Sequence, residues 1–179
     1  MNYFRSKIKY TAGFTLIETL VALSIFTTSI LAIMSVTPGG ISAVDLSKNK
    51  TIASYLAQEG LDLVRAYRDT AKINGVSATA AAFLSLTTAC STACYIDPAS
   101  IIPTQCVDGT GDGVLDCPLL THDVTGGFSY AVGGSASQFT RTISVNQSAT
   151  NTGEYIVISK VSWGVNNSVS YQSSLTDWQ

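Results

Sequence analysis

Residues 14 to 36, FTLIETLVALSIFTTSILAIMSV, form a run of 23 residues with fifteen apolar side chains and a single charge, Glu18. As a helix the run is ~35 Å long, enough to cross a bilayer. Its twelve Leu, Ile, Phe and Val side chains favour insertion by ~4 to 7 kcal/mol. A carboxylate at mid-membrane costs ~2.5 to 3.5 kcal/mol, and less near the end of a span, where Glu18 stands. Insertion therefore wins. Arg5, Lys7 and Lys9 precede the run, which places the N-terminus in the cytoplasm and the bulk of the chain outside. A secretory signal would have a shorter apolar region, no carboxylate and a small-x-small cleavage site; Gly40-Ile41-Ser42 is a poor one. Glu18 is then either a charge tolerated near the headgroups by a single-pass anchor or a group retained for function.

The rest of the chain is globular. The whole chain has 179 residues, 46% of them hydrophobic, which suits one domain with a real core. Only 12% are charged, against about 25% in an average domain. Without residues 1–13, seven Lys and Arg face twelve Asp and Glu, a net charge of −5. Nucleic acid is excluded as a partner, because it would need a basic face. No Lys or Arg occurs between Lys72 and Arg141, while Asp97, Asp108, Asp112, Asp116 and Asp123 do. Such a surface attracts divalent cations.

The N-terminal residues Lys9-x-x-x-Gly13-Phe14-Thr15-Leu16-Ile17-Glu18 resemble the cleavage and methylation site of type IV prepilins and type II secretion pseudopilins. The likeness lies in a basic leader, Gly, Phe, Glu at the fifth place after Gly, and a long apolar helix. It implies that a prepilin peptidase cuts between Gly13 and Phe14 and that the new amine of Phe14 is methylated. It implies that residues 1–13 are a leader and that 14–36 become both membrane anchor and filament core. Glu18 would there neutralise the Phe14 amine of a neighbouring subunit and fix the axial register of parallel helices. Breaking such a buried pair costs ~3 to 5 kcal/mol.

Residues 37–179 form the expected extracytoplasmic head. Thr37-Pro38-Gly39-Gly40 predicts a kink or a melted stretch. Residues 41–72 read as an amphipathic helix, with Ile52, Tyr55, Leu56, Leu63, Val64 and Tyr67 as its core stripe. Glu59, Asp62, Arg65, Arg68 and Asp69 form its polar face, and Asn74-Gly75 ends it. Residues 76–126 read as loop, with a short helix at Ala78 to Leu86. Residues 127–179 read as strands: Phe128 to Val132, Gln138 to Asn146, Tyr155 to Trp163 and Ser168 to Leu175, with a turn at Ser148 to Gly153. Phe139, Arg141, Ile143 and Val145 share one face of the second of these. Short turns between sequential strands predict an antiparallel meander, and the amphipathic helix is its cover. The fold class is α+β, a pilin-like long helix packed on a C-terminal antiparallel sheet.

Two constellations in the head carry possible chemistry. Cys90, Cys94, Cys106 and Cys117 suggest two disulfides outside the membrane. Three pairings exist, and sequence does not choose among them; Cys90–Cys94 with Cys106–Cys117 needs only local closure. A zinc site lacks paired CxxC spacings. Asp108-Gly-Thr110-Gly-Asp112-Gly113-Val114-Leu115-Asp116 has oxygen side chains at places 1, 3, 5 and 9 and glycine at 6. This resembles the first part of an EF-hand loop, with the Val114 carbonyl as backbone ligand, and predicts Ca2+ binding. Thr110 in place of a carboxylate or amide, and Leu119 at place 12, depart from it. The competing reading is a solvated Asp/Gly turn.

His122 beside Asp123 forms no catalytic motif, there is no G-x-S-x-G, and no enzyme is expected. Asn166-Asn167-Ser168 fits a glycosylation sequon, a poor guide in the prokaryote that the resemblance implies. Trp163 and Trp178 are expected to close the core. The expected function is a minor pilin or pseudopilin. Its expected partners are prepilin peptidase, other pilin subunits, the inner-membrane assembly platform and membrane lipid. The alternative is a membrane-anchored extracellular binding or adhesion domain that never polymerises.

Overall fold

A computed structural model describes residues 13–74, 79–109, 111, 115–122, 127–130 and 133–176. The leader's Arg5, Lys7 and Lys9, the loop residues Thr110, Asp112, Gly113 and Val114, and Asp123 and Trp178 lie outside the described residues. The chain divides into two compact units, residues 1–46 and 47–179.

Helix α1 spans Leu16–Ile73 and contributes to both units. In the first unit its large apolar side chains stand in solvent, from Leu16 at 79% exposure to Val36 at 72%. An 18-residue window of α1 has mean hydropathy 2.1 and none of it is buried. An apolar surface of that extent marks contact with a membrane or with other proteins. The helix also continues through Thr37, Pro38, Gly39 and Gly40, where the sequence predicts melting. Proline removes one intrahelical donor and strains one carbonyl, and each glycine weakens only its own position. These are local losses, and helical turns on both sides propagate across them without a new nucleation.

The second unit is an α+β head. Its α1 segment is followed by α2 (Thr79–Cys90), β1 (Cys94–Ile96), β2 (Pro103–Gln105), β3 (Leu119–His122) and β4 (Phe128–Ser129). Three long strands complete it: β5 (Ser135–Gln147), β6 (Glu154–Trp163) and β7 (Asn167–Thr176). All pairings are antiparallel. Strands β5, β6 and β7 form the expected meander, with Arg141 opposite Val161 and Val161 opposite Val169. The other edge of β5 is shared: β1 pairs at Ile143, and β3 pairs nearer the start, at Ala136 and Thr140. Residues 76–126 are therefore less irregular than their sequence suggests. Strands of three or four residues are too short to show a period. Helix α2 runs past Leu86 to Cys90, and the Thr87 and Thr88 hydroxyls donate to the Leu84 carbonyl.

The apolar face of the sheet is the odd-numbered one, Phe139, Arg141, Ile143 and Val145 on β5 and Val157, Ser159, Val161 and Trp163 on β6. Two apolar clusters lie on it. One joins Leu61, Val64, Phe83, Leu86, Ile143 and Val157; the other joins Ala53, Leu56, Ala57, Phe139, Val161 and Trp163. The buried face of α1 keeps Leu56, Leu63 and Val64 of the predicted stripe and departs from it elsewhere. Ala53, Ala57 and Gly60 are buried, and Tyr55 is 69% exposed. The reason is close approach: a Cβ on Gly60 would lie 2.3 Å from Ser159 Oγ and 3.1 Å from Arg141 Cδ. Small residues make that contact, and Tyr55, two positions from both Ala53 and Ala57, falls on the opposite side of the helix.

Candidate functional site

The N-terminal end of α1 is built as a capped helix. Gly13, Phe14 and Thr15 are non-helical and α1 begins at Leu16, so Thr15 is the N-cap. The Thr15 hydroxyl accepts the Glu18 backbone N–H at 3.4 Å, and the Thr15 carbonyl accepts those of Glu18 and Thr19 at 3.1 and 3.3 Å. Thr15-x-x-Glu18 has the spacing of a capping box, with Glu18 at its third helical position. The Glu18 carboxylate itself is exposed and makes no hydrogen bond or ion pair with a described residue. A Cβ added to Gly13 meets nothing within 4 Å. Nothing among the described residues therefore demands glycine there.

The hydroxyls in the apolar segment are satisfied within the helix. Thr19, Ser24, Thr27, Thr28, Ser29 and Ser35 each donate to a carbonyl three or four residues back, at 2.7 to 3.0 Å. A hydroxyl bonded this way enters hydrocarbon without an unmet donor. Glu18 is left as the one strongly polar side chain of the segment.

Residues 8–34 match the family model described as the prokaryotic N-terminal methylation motif, the signature of type IV pilins and pseudopilins. The match spans Gly13, Phe14, Glu18 and most of the apolar run. The chain thus carries the N-terminal methylation motif of type IV pilins and pseudopilins at the start of its long apolar helix. The motif implies processing by prepilin peptidase and assembly with other pilins. No curated protein and no solved structure matches the chain significantly.

In the head, Cys90–Cys94 ties the end of α2 to β1, and Cys106–Cys117 closes the acidic loop. Beside the second bridge the Asp116 N–H donates to the Val107 carbonyl at 2.9 Å. Asp108 Oδ1 accepts the Gly111 N–H at 2.6 Å. Thr110, Asp112 and Val114 of the expected ligand set lie outside the described residues. Among the described residues no three His, Cys, Asp or Glu side chains are placed to hold a metal. His122 is exposed at the end of β3, with its ring edge-on to Phe128 at 5.2 Å between centroids.

A polar cluster that sequence reasoning assigned no role lies beneath α1. Arg141 is fully buried between the two apolar clusters. Its Nη1 donates to Glu59 Oε2 at 2.9 Å and to the Leu56 carbonyl at 3.4 Å, and its Nη2 donates to the Ile96 carbonyl at 3.1 Å. Its guanidinium lies 5.8 Å from the centre of the Tyr130 ring. Burial pushes the Tyr130 phenol up to about 12, against the opposing pull of Arg141. Arg141 Nε and Ser159 Oγ find no partner among the described residues. Sliding α1 by one turn would strip Arg141 of Glu59 and Leu56 at once, so the cluster fixes the helix on the sheet. The signal was present in the sequence: an arginine on the apolar face of a strand needs a buried anion or carbonyls.

Proposed function

We propose that this chain is a minor pilin or pseudopilin, a structural subunit of a type IV pilus or a type II secretion-like filament. It is inserted in the cytoplasmic membrane with its N-terminus inside and its head outside. Prepilin peptidase cuts between Gly13 and Phe14, and the Phe14 amine is methylated. The inner-membrane assembly platform then moves the apolar segment from lipid into the filament core, where Glu18 meets the Phe14 amine of a neighbour. The observation that carries the reading is one free carboxylate in a helix that satisfies its other polar groups, placed within the motif at residues 8–34.

The test is Glu18→Ala in cells that hold the peptidase and assembly machinery. Removing the charge lowers the insertion cost, so the variant is expected in the membrane fraction and absent from sheared filaments. A variant that enters filaments at the unmutated level would refute the pairing role. Failure of the unmutated chain to enter any filament would favour an anchored binding domain that does not polymerise.

A further inference from the structure

Strand β7 ends the sheet with an unguarded edge. Among the described residues it pairs with β6 alone. In an antiparallel ladder every second residue turns its N–H and C=O away from the partner, so β7 presents a row of unmade backbone bonds ~34 Å long. Natural sheets blunt such a row with shortness, proline, charge or a bulge. β7 has none of these. It is ten residues long, it contains no proline and no charged residue, and its register with β6 runs unbroken from the Trp163–Asn167 pair to the Glu154–Thr176 pair. Seven of its ten residues are exposed, against one of ten on β6. The opposite edge of the sheet differs. Its outer strands are β2 and β4, three and two residues long, and β2 opens with Pro103.

The chemistry of the row selects its occupant. Donors and acceptors that alternate at strand spacing are matched along their length by another extended polypeptide. This chain's own residues do not supply one: residues 1–12 belong to the leader, and after Gly13 no undescribed piece is longer than four residues. Nor does a second copy. Two β7 edges face each other only about a two-fold axis, and such a pair closes on itself, whereas neighbours along a filament meet through unlike surfaces. The unlike edges that a second copy offers are β2 and β4, too short to line ten residues.

We propose that β7 accepts an extended strand from a different subunit of the same filament. The inference rests on the filament reading above, in its minor-subunit form, where the neighbours of one copy are other kinds of subunit. Main-chain bonds supply the affinity and side chains the pattern. Val169 and Leu175 reach the two apolar clusters, so the incoming strand carries apolar or small side chains on that face. Ser168, Ser170, Gln172 and Ser174 stand on the other face, where hydroxyl or amide side chains suit it.

Photo-cross-linking in the assembling cells tests this with the full chain. A benzophenone side chain placed in turn at Ser168, Ser170 and Gln172 should join a different subunit each time, at positions that step by two along one segment. That stepping is the signature of a paired strand. Cross-links to another copy of this chain overturn the choice of partner, and cross-links without the step overturn the strand. Filaments that hold the labelled chains without any cross-link overturn the contact. Ser170→Pro and Tyr171→Pro give a second reading, because one of two neighbouring residues turns its N–H to β6 and the other turns it outward. The outward variant keeps the β6 ladder and should melt nearer the unmutated chain. It should nonetheless enter filaments about tenfold less, having lost a bond to the incoming strand. Its incorporation at the unmutated level overturns the proposal, and the cross-links decide alone where both prolines unfold the head. Absence of the unmutated chain from any filament overturns the filament reading instead.

Discussion

Replacing Gly60 with alanine sets two known effects against each other at one position. In an exposed helix the change would stabilise by ~1 kcal/mol, because glycine is a poor helix former. Here the new Cβ would lie 2.3 Å from Ser159 Oγ, 3.2 Å from Ser159 Cβ and 3.1 Å from Arg141 Cδ. Rotating the serine hydroxyl relieves only the first contact. The other two involve a strand Cβ and the stem of a fully buried arginine held by Glu59, Leu56 and Ile96. The helix must lift from the sheet, and overpacking of that kind costs ~1 to 3 kcal/mol. The net expectation is a loss of up to ~2 kcal/mol, or as much as roughly 8 °C in Tm for a domain of this size. Thermal unfolding followed by circular dichroism in detergent reads it. Ser159→Ala alone should be near neutral, since its hydroxyl has no described partner. In that background Gly60→Ala should cost ~0.5 to 1 kcal/mol less, a coupling typical of residues in contact. A stabilising Gly60→Ala, or additivity with Ser159→Ala, would refute the close approach as the reason for glycine.

Three further expectations follow from particular residues. Gly13→Val, co-expressed with prepilin peptidase, should keep its thirteen-residue leader, read as intact mass; the chain's own fold leaves room for the valine, so lost cleavage reports the enzyme's need for a tiny side chain. The Tyr130 phenol is raised to about 12, so its contribution is whole below the unfolded value of ~10 and is lost as pH climbs through 12. Tyr130→Phe should therefore flatten the fall in denaturant stability between those two pH values, and an unchanged slope counts against burial of the phenol. The calcium reading of Asp108, Asp112 and Asp116 predicts weak binding, ~10⁻⁴ to 10⁻³ M, worth ~0.4 to 1.4 kcal/mol at 1 mM free ion. A higher Tm in several millimolar CaCl2 than in EDTA, lost in Asp112→Ala, is the expected result; equal curves for the unmutated chain leave a solvated turn.

The parts of the fold that read from sequence were those governed by long periods. Strand β5 alternates from Phe139 to Val145, so its face, Arg141 included, follows from pattern alone. The apolar run needs only length and composition. The contact row of α1 read only in part: Leu56, Leu63 and Val64 are buried as the stripe predicts, but hydrophobicity also points to Tyr55, while close approach selects Ala53, Ala57 and Gly60. That choice is set by the distance between helix and sheet, which no local pattern encodes. The pairing partner of Arg141 was hidden for a related reason. Glu59 belongs to the polar face of α1 by sequence, and it becomes the counterion only once β5 passes beneath it. Short elements such as β1 and β2, three residues each, are fixed by their pairing and by the flanking disulfides rather than by propensity.

The position of Glu18 gives it two physical roles that a single alanine variant cannot separate. It is the third residue of a capped helix, where glutamate or glutamine supports the first turn. It is also the one charge in the apolar segment, where it can neutralise a neighbour's Phe14 amine. Alanine removes both, so loss of assembly in Glu18→Ala has two explanations. Glutamine divides them. It keeps nearly the same shape and suits the third position of a helix equally well, and the Thr15 hydroxyl still accepts the backbone N–H of residue 18. It removes the negative charge, and an unpaired ammonium buried among apolar helices costs several kcal/mol. Glu18→Gln is therefore expected to insert, to be processed and to show unchanged helix content, yet to be missing from filaments, as Glu18→Ala is. Filaments that accept glutamine but reject alanine would assign the role of residue 18 to holding the end of its own helix, and the pairing with a neighbour's amine would have to be abandoned.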